Sequence, residues 1–161
     1  MPLYTVPGSW IDSLSLESFA TNRTGGALVA SGVYAFDLSG SDGDVDVYTT
    51  TATDPFSNLI AVAAAHDDGW LLAVAFTTTA NDAQGKVRIR GVGDVLCKES
   101  SNVGIGVRVS AVASQTYVQA LTDGLACCGI SVEAGPTGGS AAVAQVWFDG
   151  VGNAVGAESE V

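Results

Sequence analysis

Basic side chains are scarce in this sequence. Six Lys and Arg stand against seventeen Asp and Glu in 161 residues, a formal charge of −11. A field of that sign repels polyphosphate and excludes recognition of DNA or RNA through a basic surface. It also keeps a hydrophobic product soluble until it meets a partner. Cysteine occurs only three times, at Cys97, Cys127 and Cys128. An odd number with two adjacent does not make a secreted disulfide framework, and no Cys-x-x-Cys or Cys/His spacing offers a zinc site. The adjacent pair reads as two small residues buried in a strand. Long apolar runs are missing too. The longest, 59–65 and 70–76, fall far short of the roughly 20 residues that span a bilayer. The opening Met-Pro-Leu-Tyr-Thr-Val-Pro-Gly has neither the basic nor the apolar region of a signal peptide. Synthesis and folding in a reducing cytoplasm is the expectation.

Catalytic constellations are equally wanting. His66, the single histidine, sits in His-Asp-Asp-Gly, where it could act as a base or metal ligand. The same tetrapeptide suits a hairpin turn, and no Gly-x-Ser-x-Gly supplies a nucleophile. Asp42, Asp44 and Asp46 imitate the start of a calcium loop, but Val47 stands where an EF-hand needs Gly and Thr53 where it needs Glu. Alternate Asp residues could bridge a hard cation; they read more simply as a solvated acidic edge that discourages wrong strand pairing. Gly91-x-Gly93 and Gly104-x-Gly106 lack the third glycine and the following helix of a phosphate loop, and suit bulges or close backbone contacts instead. Asn22-Arg23-Thr24 matches the glycosylation sequon, which means nothing without a secretory signal. No catalytic residue, metal or cofactor follows from these patterns.

What remains is a hydrophobic, glycine-rich chain. Hydrophobic residues make up 47%, mostly Ala and Val rather than Leu and aromatics, with 20 Gly. That excludes disorder as a default and favours thin, tightly turned β architecture. A chain of this length makes one domain that buries about 70% of its unfolded surface. Strands are predicted over 27–38 (interrupted at Ser31-Gly32), 45–53, 59–65, 87–95, 105–112 and 116–121. Two further stretches share a strand–turn–strand cadence: Ile60-x-Val62-x-Ala64 leading to Ala73–Phe76, and Ile130-x-Val132-x-Ala134 leading to Ala142–Ala144 and Phe148. They suggest two related hairpins. About nine or ten short strands with turns between them predict an all-β single domain, a barrel or sandwich, over 25–161.

Residues 1–24 differ. Pro2 and Pro7 keep the start extended, and Ser9 with Asp12 could open one or two helical turns through Phe19. This is an N-terminal arm, extended or briefly helical, which Trp10 and Phe19 tie down to something. Five of the six basic residues lie between Lys86 and Arg108. Lys86, Arg88 and Arg90 alternate with Val87 and Ile89, so they share one strand face, and Val103, Ile105, Val107 and Val109 share another. In so acidic a molecule the basic face is a surface for docking on the acidic flank of an identical subunit or a carboxylate-lined partner.

The blocks Gly85-Lys-Val-Arg-Ile-Arg-Gly-Val, Val103-Gly-Ile-Gly-Val, Gln115-Thr-Tyr-Val-Gln-Ala, Cys128-Gly-Ile-Ser-Val-Glu-Ala and Val143-Ala-Gln-Val-Trp-Phe resemble the head decoration (cement) proteins of tailed bacteriophages. The resemblance spans roughly 59–150 and rests on cadence, not on a catalytic motif. It implies a non-enzymatic virion protein on the outer surface of an expanded capsid, assembled in the host cytoplasm. Its partner would be the major capsid protein, its form a homotrimer, and nucleic acid and membrane would play no part. On that reading Tyr4, Val6, Trp10 and Leu14 dock the arm on the shell, and Arg88 and Arg90 pair with acidic groups between protomers. The alternative is a non-enzymatic β-sandwich module that binds carbohydrate or a host-surface ligand through its Trp and Tyr residues. A small enzyme on a trimeric β scaffold fits least, for want of any acid/base or nucleophile cluster.

Overall fold

The computed structural model describes residues 15–36, 58–60, 71–98, 103–112, 114–122, 127–137 and 140–150. Among these there is no helix. Nine strands run in the order β1 (Leu16–Asn22), β2 (Val33–Phe36), β3 (Asn58–Ile60), β4 (Leu72–Ala75), β5 (Gln84–Cys97), β6 (Arg108–Ala111), β7 (Val118–Ala120), β8 (Gly129–Ser131) and β9 (Ala142–Asp149). The fold is all-β, as the patterning predicts.

The 14-residue β5 is long enough to serve two rings of strands. Its first half pairs with β1 and β4, and the path β1–β3–β2–β4–β5 closes a five-stranded barrel. Its second half pairs antiparallel with β9 from Arg90 to Cys97, and β9–β8–β6–β7 returns to β5 at Cys97↔Val118. Closure leaves few free strand edges in either ring.

Two apolar clusters follow from this layout. Ala20, Leu28, Tyr34, Phe36, Leu59, Ala73, Ala75 and Val87 fill the first barrel. Val95, Val109, Val118, Cys128, Val146 and Phe148 fill the second, and Val33, Ala35, Leu72 and Val74 join them. The strands β2 (Val-Tyr-Ala-Phe) and β4 (Leu-Ala-Val-Ala) are therefore buried on both faces, one toward each cluster. Unbroken apolar runs are what such strands require, since neither face meets water. Each buried Val, Leu or Phe is worth roughly 1.5–3 kcal/mol. Shared strands make the two clusters one cooperative body.

Asn22 closes one end of the first barrel. Its side chain is fully enclosed and makes all four of its hydrogen bonds. Nδ2 donates to the carbonyls of Gly26 (2.7 Å) and Thr79 (2.9 Å). Oδ1 accepts from the Thr24 amide (3.0 Å) and hydroxyl (2.7 Å). An enclosed amide cannot take a glycan, so the sequon is structural.

Several sequence expectations change here. Of the stretch read as an arm, Leu16–Asn22 is strand β1, hydrogen-bonded into the barrel from Leu16↔Arg90 to Thr21↔Gln84; residues 1–14 lie outside the described residues. The break at Ser31-Gly32 is real: Ser31 takes a left-handed φ of 60° just before β2. Among the described residues only the second of the two supposed hairpins is seen. β8 and β9 pair directly, whereas β2 lies between β3 and β4. Ile105 does not share a face with Val103 and Val109. Gly106 turns the chain with φ +78° and leaves Ile105 75% exposed. Ile130 and Val132, for which the sequence cadence set no face, point outward because Gly129 and Ser131 take the inner positions of β8. A Cβ on Gly129 would sit 2.5 Å from the Trp147 carbonyl oxygen. The predicted strand over 45–53, the turn at 39–44, residues 61–65 and the turn at 66–69 lie outside the described residues.

Candidate functional site

The basic residues converge on β5, but not as one face. Opposite β1 the register jumps from Leu16↔Arg90 to Glu17↔Arg88, leaving Ile89 as an extra residue on β5. Gly91 follows with φ +124°, a conformation that glycine tolerates and other residues rarely adopt. This bulge parts Arg88 from Arg90. Arg90 meets Asp149 across the β5–β9 ladder, its Nη2 lying 3.0 and 3.2 Å from the two carboxylate oxygens. Arg88 instead lays its guanidinium over Gly93, in the space a Cβ would fill there, with its carbon 4.6 Å from the centre of the Phe76 ring.

The other cations are mostly engaged. Lys86 pairs with Glu17 at 2.5 Å and approaches the Phe76 ring at 4.8 Å. Arg23 pairs with Asp82 at the barrel end. These contacts are largely exposed, so each ion pair contributes little to stability. Arg88 differs from all of these. It forms no ion pair among the described residues, and its Nε is buried without a hydrogen-bond partner.

Arg88 opens into a cleft of about 380 Å³ lined by Ser31, Val74, Phe76, Val92, Asp94 and Gln145, among others. Along this edge of β5 the pairing with β1 ends at Leu16↔Arg90 and that with β7 begins only at Cys97↔Val118. Ser31 bridges the far end: its N–H donates to Ala75 and its carbonyl accepts from Leu96. Asp94 is held by Gln145, whose Nε2 donates to Oδ1 across the ladder.

A second feature is an outward apolar row. Val92 pairs with Trp147, and Trp147 with Ile130, on the solvent face of β5, β9 and β8; Val143 lies nearby opposite Leu96. Ile130, Val132 and Val143 are each more than 40% exposed. Grouped exposure of this kind marks contact surface. The sequence reading did not find it, because the cadence Ile130-x-Val132 leaves open which face is covered. Gly129 before Ile130 and Ser131 after it were the signal.

Of the residues singled out from sequence, Tyr4, Val6, Trp10, Leu14, His66, Asp42, Asp44 and Asp46 lie outside the described residues. Among the described residues no three His, Cys, Asp or Glu side chains gather to hold a metal. The three cysteines are free thiols, Cys97 and Cys128 buried and Cys127 partly so. Burial pushes Cys97 up to about 11 and Cys128 higher still, the latter with the neighbouring Cys127 adding to the effect.

No protein-family model matches this chain, and no curated protein matches it. Among solved structures it is similar to the N-terminal base of head fiber gp8.5 in bacteriophage phi29, at 12% identity and a TM-score of 0.50, covering 85% of this chain and 96% of that one. At that identity the likeness is one of fold.

Proposed function

We propose that this chain is a non-enzymatic virion protein that decorates the outside of an expanded phage capsid, as a trimer bridging major capsid subunits. The observation that carries the reading is the shared fold: nearly the whole of a phage head fiber base superimposes on most of this chain. The physical features support it. A body whose work is to hold other proteins together needs a closed, cooperative fold and outward contact area, and has no use for an acid/base pair. The apolar row through Val92, Trp147 and Ile130 provides such area. Residues 1–14, with Tyr4, Val6, Trp10 and Leu14, dock on the shell. Arg90 is spoken for by Asp149 within the chain, so of these two it is Arg88 that meets acidic groups of a neighbour. Many copies on one shell give avidity even where each contact is modest.

The test is size-exclusion with light scattering, for the protein alone and mixed with empty expanded shells. The expected result is a trimer that elutes with the shells. A monomer that leaves them bare overturns the proposal.

A further inference from the structure

We infer that the cleft beside β5 is a docking site for an extended acidic segment of a partner protein, which adds as a short strand to the open edge of β5 and places one carboxylate on Arg88. The inference stands on the cleft itself and holds whether or not the chain belongs to a virion.

The first support is backbone direction. Gly150 donates to Ile89, so the odd-numbered residues of β5 exchange hydrogen bonds with β9. In an antiparallel ladder the alternate residues then turn their N–H and C=O to the opposite edge. Leu96 does so, donating to Ser31. Val92 and Asp94 have the same parity, yet no described strand pairs with them there: on that edge β1 ends its pairing at Leu16↔Arg90 and β7 begins at Cys97↔Val118. Both residues line the cleft. Two N–H and two C=O groups thus face a concave site with no partner among the described residues, the arrangement that strand addition uses.

The second support is charge. Arg88 lines the same cleft, its Nε buried and unpartnered and its guanidinium beside the Phe76 ring and over Gly93. A guanidinium so placed prefers a carboxylate, which its parallel N–H groups match in geometry. Asp94 is the only acid among the lining residues. Gln145 holds one of its oxygens, but its charge still opposes a polyanion, so the site suits one carboxylate on a neutral strand. The Val74, Phe76 and Val92 side chains give apolar residues of that strand somewhere to rest.

The probe is the hexapeptide acetyl-Thr-Val-Glu-Val-Thr-Val-amide, with its Gln counterpart as control, titrated into the ¹⁵N-labelled full chain. The Glu peptide should bind at least tenfold tighter than the Gln peptide, and the Val92 and Asp94 amides should shift on binding. Arg88→Gln should bind the two peptides equally. Arg88→Lys, which keeps the charge and loses the fork, should lose most of the preference. Equal affinity of the two peptides for the unaltered chain, no binding by either, or shifts centred elsewhere would each overturn the inference; these readouts do not depend on the variants folding. A chain that decorates shells but ignores the peptide sinks this inference alone.

Discussion

Replacing Asn22 by Ala removes the most completely bonded side chain described in the first barrel. The amide bridges three segments: its own turn at Thr24, the loop at Gly26 and the bridge residue Thr79 on the far side of the barrel end. The bonds at Thr24 and Gly26 lie near the surface, where water replaces them at small cost. The bond to Thr79 is buried, and its carbonyl keeps a second donor, Leu28. Each deleted bond with a rehydrated partner costs about 0.5–1.5 kcal/mol and an unmet buried group about 1–3. The sum for Asn22→Ala is therefore about 3 kcal/mol, since the loop relaxes as a unit. For a chain of this size that lowers Tm by roughly 6–12 °C. Urea unfolding followed by tryptophan fluorescence gives the same quantity through the midpoint, with an unchanged slope if the native state stays intact. Asn22→Asp should be no better: it keeps the acceptor but turns a carboxylate oxygen toward the carbonyls of Gly26 and Thr79. A loss below about 1 kcal/mol in Asn22→Ala would show that the four bonds do not organise the barrel end, and the reasoning from burial and satisfaction would fail with it.

Other expected outcomes follow from the same structure. Gly150→Ala should cost about 3 kcal/mol or abolish folding, because a Cβ there runs into the Leu72 carbonyl at the junction of β4, β5 and β9; thermal melts decide it. Cys97 and Cys128 should resist an aromatic disulfide reagent at pH 8 in the native state, while the partly exposed Cys127 reacts; three fast thiols would refute the burial. Since burial raises the Cys97 value from 9.0 to about 11, the folded state holds that proton more tightly than the unfolded chain does. Stability should therefore fall as pH rises above about 9, and Cys97→Ala should flatten the decline in urea midpoints. Removing residues 1–14 should abolish shell binding and keep the fold, whereas removing 1–20 should unfold the chain, since it deletes most of β1; circular dichroism and co-elution with shells separate the two.

The strands with strict alternation were the most legible part of the sequence. Gln84–Cys97 announced itself through alternating charge and β-branched residues, and Val33–Phe36 and Leu72–Ala75 through unbroken apolar runs. Alternation reveals that two faces exist and leaves open which one is covered. That is why the cadence of Ile130-x-Val132 does not tell which way these residues face. Their neighbours Gly129 and Ser131 are the inner pair, and at Gly129 β9 approaches too closely for any side chain. Ile105 was misplaced because one glycine at positive φ ends the periodicity two residues before the strand begins. Strand order was beyond local reading. β3 pairs parallel with β1 and antiparallel with β2, and nothing within a few residues of Asn58 encodes a partner so distant. The bulge at Ile89 is the same kind of omission, and it decides the site. An unbroken strand would have kept Arg88 beside Arg90. The extra residue sends one to Asp149 and the other into the cleft.

The distribution of charge gives that separation its weight. The described residues hold all six basic side chains and only five of the seventeen acidic ones. Glu17, Asp82 and Asp149 are paired with Lys86, Arg23 and Arg90. Asp94 and Glu133 accept hydrogen bonds from the Gln145 side chain and backbone amide. The acids of the barrels are thus all occupied, and the strands carry a formal charge of +1. The other twelve acidic residues lie in sequence that contributes no Lys or Arg. Among the described residues, the charge around β5 is therefore set by a small excess of cations. Charges are felt over about 8–10 Å in physiological salt, so the salt dependence of peptide binding tells whether Arg88 or the net charge of the chain governs it. If binding of the acidic peptide weakens with salt, the local cation governs it. If it strengthens as salt screens the net charge, the global field dominates, and a carboxylate is the wrong ligand for the cleft.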